Sequence, residues 1–165
     1  MDIKLEGLEK IIANIEDIAD TSNLTKTMGK ACALVERDAK EYAYASRGEG
    51  DLMRSITSEV DIEGNEVVGT VFTPLEYAPY REYGTGLFAE NGDGRKDVPW
   101  YIHIGYGADD ITPEAVKRYH FPIAYGKNGE KFAVTSGSRP RPFLRPALQK
   151  NKEKVVSILK EGLDV

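Results

Sequence analysis

Apolar residues recur at intervals of three and four along the first part of the chain, which is the period of an amphipathic helix. The first stripe comprises Leu5, Leu8, Ile11, Ile12, Ile15 and Ile18. The segment Asp20–Asn23 then supplies side chains that stop one helix and cap the next. A second helix is predicted from about Leu24 to Tyr44, and it ends where Gly48 and Gly50 make helix costly.

The period changes from three-and-four to two after Gly50. Apolar and polar residues alternate over positions 56–62, and positions 67–72 are rich in β-branched residues. The polar segment between them predicts a turn, so the two runs form a β-hairpin. A second hairpin is predicted from positions 121–125 and 131–135, which flank an Asn-Gly turn.

The remaining segments complete the predicted fold. Residues 75–86 resemble a short aromatic helical turn, whereas residues 87–130 lack a strong period, as functional loops often do. Pro142 and Pro146 suit the first turn of a final helix, which runs to Gly162. We therefore predict a single α+β domain over residues 1–165, with an antiparallel sheet packed by two N-terminal helices and a C-terminal helix. Residues 87–130 are predicted to be an irregular insertion, an extended loop or arm.

Composition is that of an ordinary soluble globular protein, with 41% hydrophobic and 30% charged residues. The first residues lack the basic and apolar regions of a signal peptide, so synthesis in the cytoplasm is expected. The net charge of −5 disfavours a general nucleic-acid binder. Charge is uneven, because residues 139–165 carry seven Lys/Arg against three Asp/Glu, leaving −9 for residues 1–138. A polarised subunit can turn one sign toward a neighbour, although a solvated C-terminal helix also explains these lysines.

Candidate chemistry is sparse, and no catalytic residue, metal site or cofactor is expected. The chain has no phosphate-binding glycine loop, no nucleophile elbow and no zinc-binding helix motif. The single cysteine, Cys32, has a helical spacing typical of a buried, inert thiol. A site built from His103, His120 and Asp97 is possible in principle, but isolated histidines are more often structural. The segment 91–97 faintly resembles a calcium loop, yet its two cations favour a polar turn.

Three ordered segments carry a family resemblance. Residues 50–56 place a glycine before a Leu-x-Arg-Ser-Ile run that leads into the first predicted strand. Residues 77–86 read Tyr-Ala-Pro-Tyr-Arg-Glu-Tyr-Gly-Thr-Gly, and residues 137–148 contain Arg-Pro-Phe-Leu-Arg-Pro-Ala. Together they resemble the tail-completion or neck protein family of long-tailed bacteriophages, the gp-ten-like head–tail joining family. Residues 101–130 depart from it, since they exceed the usual spacer before the third motif.

The resemblance implies a non-enzymatic virion protein that forms an oligomeric ring in the neck, a hexamer or a dodecamer. Its implied partners are other copies of itself, the head-closure or connector proteins and the tail-tube or terminator proteins, with genomic DNA only as passing cargo. A tail terminator or minor head protein is the alternative within the virion, and a morphogenesis enzyme or DNA-binding module the alternative outside that class. Glycines 84 and 86 are expected to permit positive φ around the aromatic motif. The residues expected to carry the motifs or subunit contacts are Tyr77, Tyr80, Arg81, Tyr83, Gly84, Thr85, Gly86, Trp100, Arg141, Pro142, Phe143, Leu144, Arg145 and Pro146.

Overall fold

A computed structural model of the chain describes residues 11–14, 21–45, 50–64, 66–92 and 94–162. The chain divides into two compact units: unit 1 comprises residues 1–82 and 141–165, and unit 2 comprises residues 83–140. The helices and strands in chain order are β1 (Ile11–Asn14), α1 (Thr21–Ala45), α2 (Asp51–Ser55), β2 (Thr57–Glu63), β3 (Glu66–Phe72), α3 (Ala78–Tyr83), β4 (Trp100–His103), α4 (Pro113–Tyr119), β5 (Ile123–Tyr125), β6 (Lys131–Thr135) and α5 (Leu144–Gly162).

Unit 1 contains a three-stranded antiparallel sheet with the strand order β1–β3–β2. Strands β2 and β3 form the hairpin that the alternation predicted, with Thr57 opposite Phe72 and Glu63 opposite Glu66. Gly64 occupies the turn with a φ of 63°, a conformation that glycine adopts without the steric cost of a Cβ. The hairpin turn therefore has the residue type that its backbone requires.

Helix α1 packs its apolar stripe against one face of this sheet. Leu24, Met28 and Val35 are buried on that stripe, as their helical spacing predicted. Gly69 of β3 lies directly against the helix, because a Cβ placed there would meet Cys32 Sγ and Met28 Cγ. The absence of a side chain at Gly69 therefore sets how closely helix and sheet approach.

Cys32 is buried at this contact, which confirms the predicted environment of the thiol. Burial raises the pKa of Cys32 to about 11, and the negative charge of Glu36 adds to the effect. Because the thiolate is the reactive form of cysteine, the side chain is a core residue and not a nucleophile.

Helix α5 packs along α1 and completes the core of unit 1. Ala147 and Val155 are buried on α5, and Phe143 is buried immediately before it. At its C-terminal end, the amide of Asn23 donates a hydrogen bond of 3.1 Å to the carbonyl oxygen of Gly162. An otherwise orphaned helix-end acceptor is thereby satisfied from α1.

Unit 2 contains a second three-stranded antiparallel sheet, with the strand order β4–β6–β5. Strands β5 and β6 form the second predicted hairpin, and β4 pairs with the other edge of β6. The Thr112 side chain caps α4 by accepting a hydrogen bond from the Ala115 N–H. Among the described residues of unit 2, only Val116 and Ala133 are fully buried apolar side chains. Unit 2 is therefore regular in backbone but has a small core.

The structure confirms the α+β class, the helix over 24–44, both hairpins, the short aromatic helix and the C-terminal helix. The first predicted helix is wrong at Ile11–Asn14, which is a strand paired with β3. Adjacent β-branched isoleucines favour extended backbone, and pairing with the edge of β3 outweighs the helical spacing. The other positions of that predicted helix lie outside the described residues. No helix in the described part of the chain is long and apolar enough to span a bilayer.

Residues 87–130 are more regular than the sequence indicated. They contain β4, α4 and β5, and β4 and β5 belong to the sheet of unit 2. The apolar period was undetectable because β4 and β5 are only four and three residues long. Whether residues 1–165 act as one domain stays a prediction.

Candidate functional site

The carboxylate of Glu82 joins two of the sequence motifs inside unit 1. Its side chain is 2% exposed, and its Oε2 accepts hydrogen bonds from the N–H groups of Phe143 (2.7 Å) and Leu144 (3.1 Å). Its Oε1 accepts a third bond, from the N–H of Arg145 at 3.1 Å. The first N–H groups of a helix have no partner within the helix, and the helix dipole favours negative charge there. Glu82 therefore caps α5 from a distant part of the chain.

Arg145 reinforces the same junction. Its Nε donates to Glu82 Oε1 at 3.0 Å, and its Nη2 donates to the Glu82 main-chain oxygen at 2.8 Å. The N–H of Arg141 donates to the carbonyl oxygen of Arg81 at 2.7 Å. The two bonds from the Arg145 guanidinium are charge-assisted and are therefore stronger than neutral ones. Residues 77–82 and 141–148 are therefore held together as one structural block.

Glu82 is the functional residue that the sequence analysis missed. Its ion pair with Arg145 lies within one chain, at 3.0 Å between Arg145 Nε and Glu82 Oε1. A signal was present in the sequence, because α5 begins after Arg-Pro-Arg-Pro-Phe with no Ser, Thr, Asp or Asn at the cap position. A helix start without a local cap must find its acceptor elsewhere.

The apolar part of the third motif anchors the core. Phe143 is buried against the interior of unit 1, and Leu144 is nearly so. Pro142 is exposed and Pro146 half-buried, at the start of α5 where a missing N–H costs little. Phe143 and Leu144 therefore serve the monomer fold, as anchors, and are not accessible to a second subunit.

The aromatic motif, in contrast, faces solvent in part. Tyr77 is 43% exposed and Tyr80 is 60% exposed. Arg81 and Tyr83 are half-buried, and Arg141 is exposed. Buried Glu82 fixes the backbone that carries these tyrosines, so they are presented from a rigid support. Rigid exposed aromatics are typical of protein–protein contact surfaces.

In unit 2, the Gly-Thr-Gly end of the aromatic motif pairs with residues 136–138. The N–H of Thr85 donates to the Ser138 carbonyl, and the Ser138 N–H donates to Thr85 Oγ1, both at 2.9 Å. Gly84 and Gly86 have φ values of 78° and 59°, which confirms the expected positive φ. A Cβ on Gly137 would meet the carbonyl oxygen of Thr85. The glycines thus permit two loops to touch through their backbones.

Two arginines lie over aromatic rings beside this loop pair. The guanidinium of Arg95 lies 5.2 Å from the centre of the Trp100 ring, and that of Arg139 lies 5.4 Å from the centre of Phe88. Arg95 also donates two hydrogen bonds of 2.9 Å to the Asp97 carboxylate, which lowers the pKa of that carboxyl. The Trp100 ring adjoins Gly86, since a Cβ there would meet Trp100 Cη2.

The sheet of unit 2 exposes aromatic side chains on both faces. The register places Ile123 on the face of Ala133, whereas Tyr101 lies on the face of Val134. Tyr101 is 59% exposed and Tyr125 is 70% exposed. The two tyrosines are therefore accessible to solvent on opposite faces of the sheet.

The alternative site built from two histidines and an aspartate is not assembled. His103 Nδ1 lies 2.9 Å from Asp110 Oδ1, whereas Asp97 is bonded to Arg95. His120 is the exposed C-terminal cap of α4, with a φ of 54°. Within the described residues, no three His, Cys, Asp or Glu side chains converge as metal ligands would.

The match to known proteins falls on the part of the chain that contains the sheet of unit 1. Residues 7–84 match the family model described as bacteriophage HK97-gp10, putative tail-component. These residues are similar to that phage family, and the match covers slightly less than half of the chain. The match runs from the N-terminal region through α1 and the hairpin to Gly84 of the aromatic motif. No curated protein and no solved structure matches the chain.

The family match confirms the resemblance that the three motifs indicated. The matched family is described as a putative tail component of a bacteriophage. The role of this chain in a virion, its position there and its partners are matters for proposal.

Proposed function

We propose that this chain forms a homo-oligomeric ring at the head–tail interface of a long-tailed phage, where it completes the tail and joins it to the head. The observation that carries the proposal is the Glu82 junction. It binds the aromatic motif to the start of α5 and leaves Tyr77 and Tyr80 exposed on a rigid support. A subunit that must hold its shape while tension passes along a tail needs this kind of preorganised contact surface.

The ring is a hexamer or a dodecamer that surrounds the channel through which DNA passes. In a closed ring, each subunit contacts its neighbours through two different patches, because the interface is heterologous. The residues that we assign to these contacts are Tyr77, Tyr80, Arg81, Tyr83, Thr85, Trp100 and Arg141. Its other partners are the head-closure or connector proteins above and the tail-tube or terminator proteins below.

Residues 87–130 act as an arm that contacts a neighbouring subunit or ring. The exposed aromatic side chains of the unit 2 sheet support this role, because they would be poor surface residues in a protein without partners. Deleting residues 91–128 should prevent heads from joining tails. Normal ring assembly and normal infectivity of that deletion would rule out the arm.

Electron microscopy of particles made without this protein tests the position. Free heads together with free tails of normal length are the expected result, because the joining ring is missing. Abnormally long tails would instead assign the chain as the tail terminator. Joined, infectious particles would reject a role in the neck altogether.

A further inference from the structure

The outer face of the β2–β3 hairpin carries a row of acidic side chains. Glu59, Asp61 and Glu63 alternate along β2 and are exposed. The intervening residues face the helix layer, since Ser58 Oγ donates a hydrogen bond of 2.6 Å to Glu36 of α1. The three acids therefore point away from α1. No Lys or Arg occurs between Arg54 and Arg81 in the sequence, so β2 and β3 add no positive charge to this surface.

The outer ridge of α1 carries the opposite charge. Lys26, Lys30 and Arg37 are exposed and lie on one side of the helix, opposite the buried stripe. Arg37 forms an ion pair with Asp38, and Asp38 also pairs with Lys150. Because one carboxylate faces two cations, a net positive charge remains at this end of the ridge. Glu41, one turn further on, is the acid that ends the basic row.

The two rows match in length as well as in sign. Same-face residues of a strand are separated by roughly 6.6 Å, so Glu59 and Glu63 lie about 13 Å apart. At about 1.5 Å per residue, Lys26 and Arg37 are separated by about 16 Å along α1. Each row is straight, because one follows a strand and the other follows a helix. The basic row of one copy can therefore lie along the acidic row of another.

We propose that the acidic row of β2 in one copy docks on the basic ridge of α1 in a second copy. The rows lie on opposite sides of unit 1, because one faces away from α1 and the other faces away from the sheet. They cannot meet within one copy, so the contact is head-to-tail and repeats from copy to copy. This inference rests on the proposed ring and names the surfaces through which its subunits meet. Charge complementarity selects this partner and orients it.

Paired charge reversals in the purified full-length chain test the contact. One variant is Glu59→Lys with Asp61→Lys, and the other is Lys26→Glu with Lys30→Glu. Each alone has two surfaces of like charge, so its self-association should fall on the order of tenfold below that of the wild type. Mixed in equal amounts, the two variants should associate again, because each acidic surface now finds a basic one. Sedimentation velocity at roughly 0.05 M salt measures all three states, since exposed charges interact most strongly at low ionic strength.

A matched control separates the ridge from a general effect of charge. Lys152→Glu with Lys160→Glu makes the same change in net charge on exposed positions of α5, and it should leave association unchanged. A wild type that stays monomeric at low salt and high concentration overturns the proposal, as do variants that associate like the wild type or a mixture that fails to associate. Because these measurements use the purified chain, such a result would reject the contact and leave the neck position to the particle experiment.

Discussion

The two units of this chain have similar secondary-structure elements but differ in how many apolar side chains they bury. Unit 1 has a helix-covered sheet whose interior is almost entirely apolar, with two buried carboxylates that are fully bonded. Unit 2 also has a three-stranded sheet, yet only Val116 and Ala133 are fully buried among its described apolar residues. Its tyrosines are instead exposed on the sheet and loops. One unit is therefore stabilised by a buried core, whereas the other leaves much of its aromatic area exposed.

Two buried acids join parts of unit 1 that are distant in the sequence. Glu82 replaces a missing cap at the start of α5, and Asp38 joins α1 to α5. Buried charges are costly unless their partners are complete, so each fixes one arrangement of the chain. The comparison predicts large losses of stability for changes at these acids and small losses for changes at the exposed aromatics of unit 2.

The largest effect is expected for Glu82→Gln. The substitution keeps the shape of the side chain but removes the negative charge that the helix N-terminus and Arg145 require. Leaving a buried partner unsatisfied typically costs about 3–5 kcal/mol, so the free energy of unfolding should fall by roughly that amount. Urea denaturation followed by circular dichroism measures it. Glu76→Gln, an exposed change in the same segment, is the control and should lie within about 0.5 kcal/mol of the wild type. A similar small change for Glu82→Gln would show that the junction does not hold unit 1 together.

Asp38→Asn should have the second largest effect, and the effect should depend on pH. Burial alone would raise the pKa of Asp38, but the hydrogen bonds from Lys150, Asn151 and Arg37 outweigh it and hold the pKa well below its ordinary value. A carboxyl whose pKa is lower in the folded state stabilises the fold above its unfolded pKa of about 3.9 and loses that contribution as the pH falls. At pH 7 the substitution should cost about 2–4 kcal/mol.

The difference between wild type and Asp38→Asn isolates this group from the other acids. The difference in unfolding free energy should narrow as the pH falls from about 4 to about 2, because the unfolded wild type then binds a proton at Asp38 that the folded state does not. Asp61→Asn, an exposed acid on β2, is the matched control and should run parallel to the wild type. A gap that stayed constant down to the lowest pH would mean that packing, and not the charge, accounts for the role of Asp38.

A smaller loss is expected for Gly69→Ala, where α1 approaches the sheet. The added Cβ would overlap Cys32 Sγ and Met28 Cγ, and overpacking in a core typically costs about 1–3 kcal/mol. Shortening the neighbour by Cys32→Ala should recover part of that cost, so the two changes should not be additive. A thermal-unfolding cycle of the four proteins measures the coupling. Additive losses would place the strain at Met28 instead of Cys32.

Much of unit 1 was predictable because its elements are long and strictly periodic. The stripe of α1 predicted the burial of Leu24, Met28 and Val35, which the structure confirms. On β2 the alternation predicted the strand, but Val60 is only half-buried and Ile62 is exposed. The strand at Ile11–Asn14 was not predictable from its spacing, since its partner β3 lies more than fifty residues away. In unit 2, strands of three to five residues carry too few positions for a period to emerge.

The junction was predictable only in part for a different physical reason. An arginine such as Arg145 commonly pairs with a carboxylate, yet the sequence offers 27 acids and gives no distance between them. The choice of Glu82 depends on how α3 lies against the start of α5. The missing N-cap residue of α5 indicates that an acceptor from elsewhere is needed, but it does not identify that acceptor.

The smallest effect on stability is expected for Tyr101→Ser with Tyr125→Ser in unit 2. Both side chains are largely exposed, so removing them should change the free energy of unfolding by less than about 0.5 kcal/mol. Val116→Ala, in the small core of the same unit, should cost about 0.5–1.5 kcal/mol and serves as the buried reference. Thermal unfolding compares the three proteins, and incorporation into particles compares their ability to find partners. The comparison between units holds if the tyrosine variant folds normally but enters particles poorly. If it unfolds as readily as Val116→Ala, its tyrosines belong to the interior of unit 2, and the surface offered to a partner must be sought at Tyr77 and Tyr80.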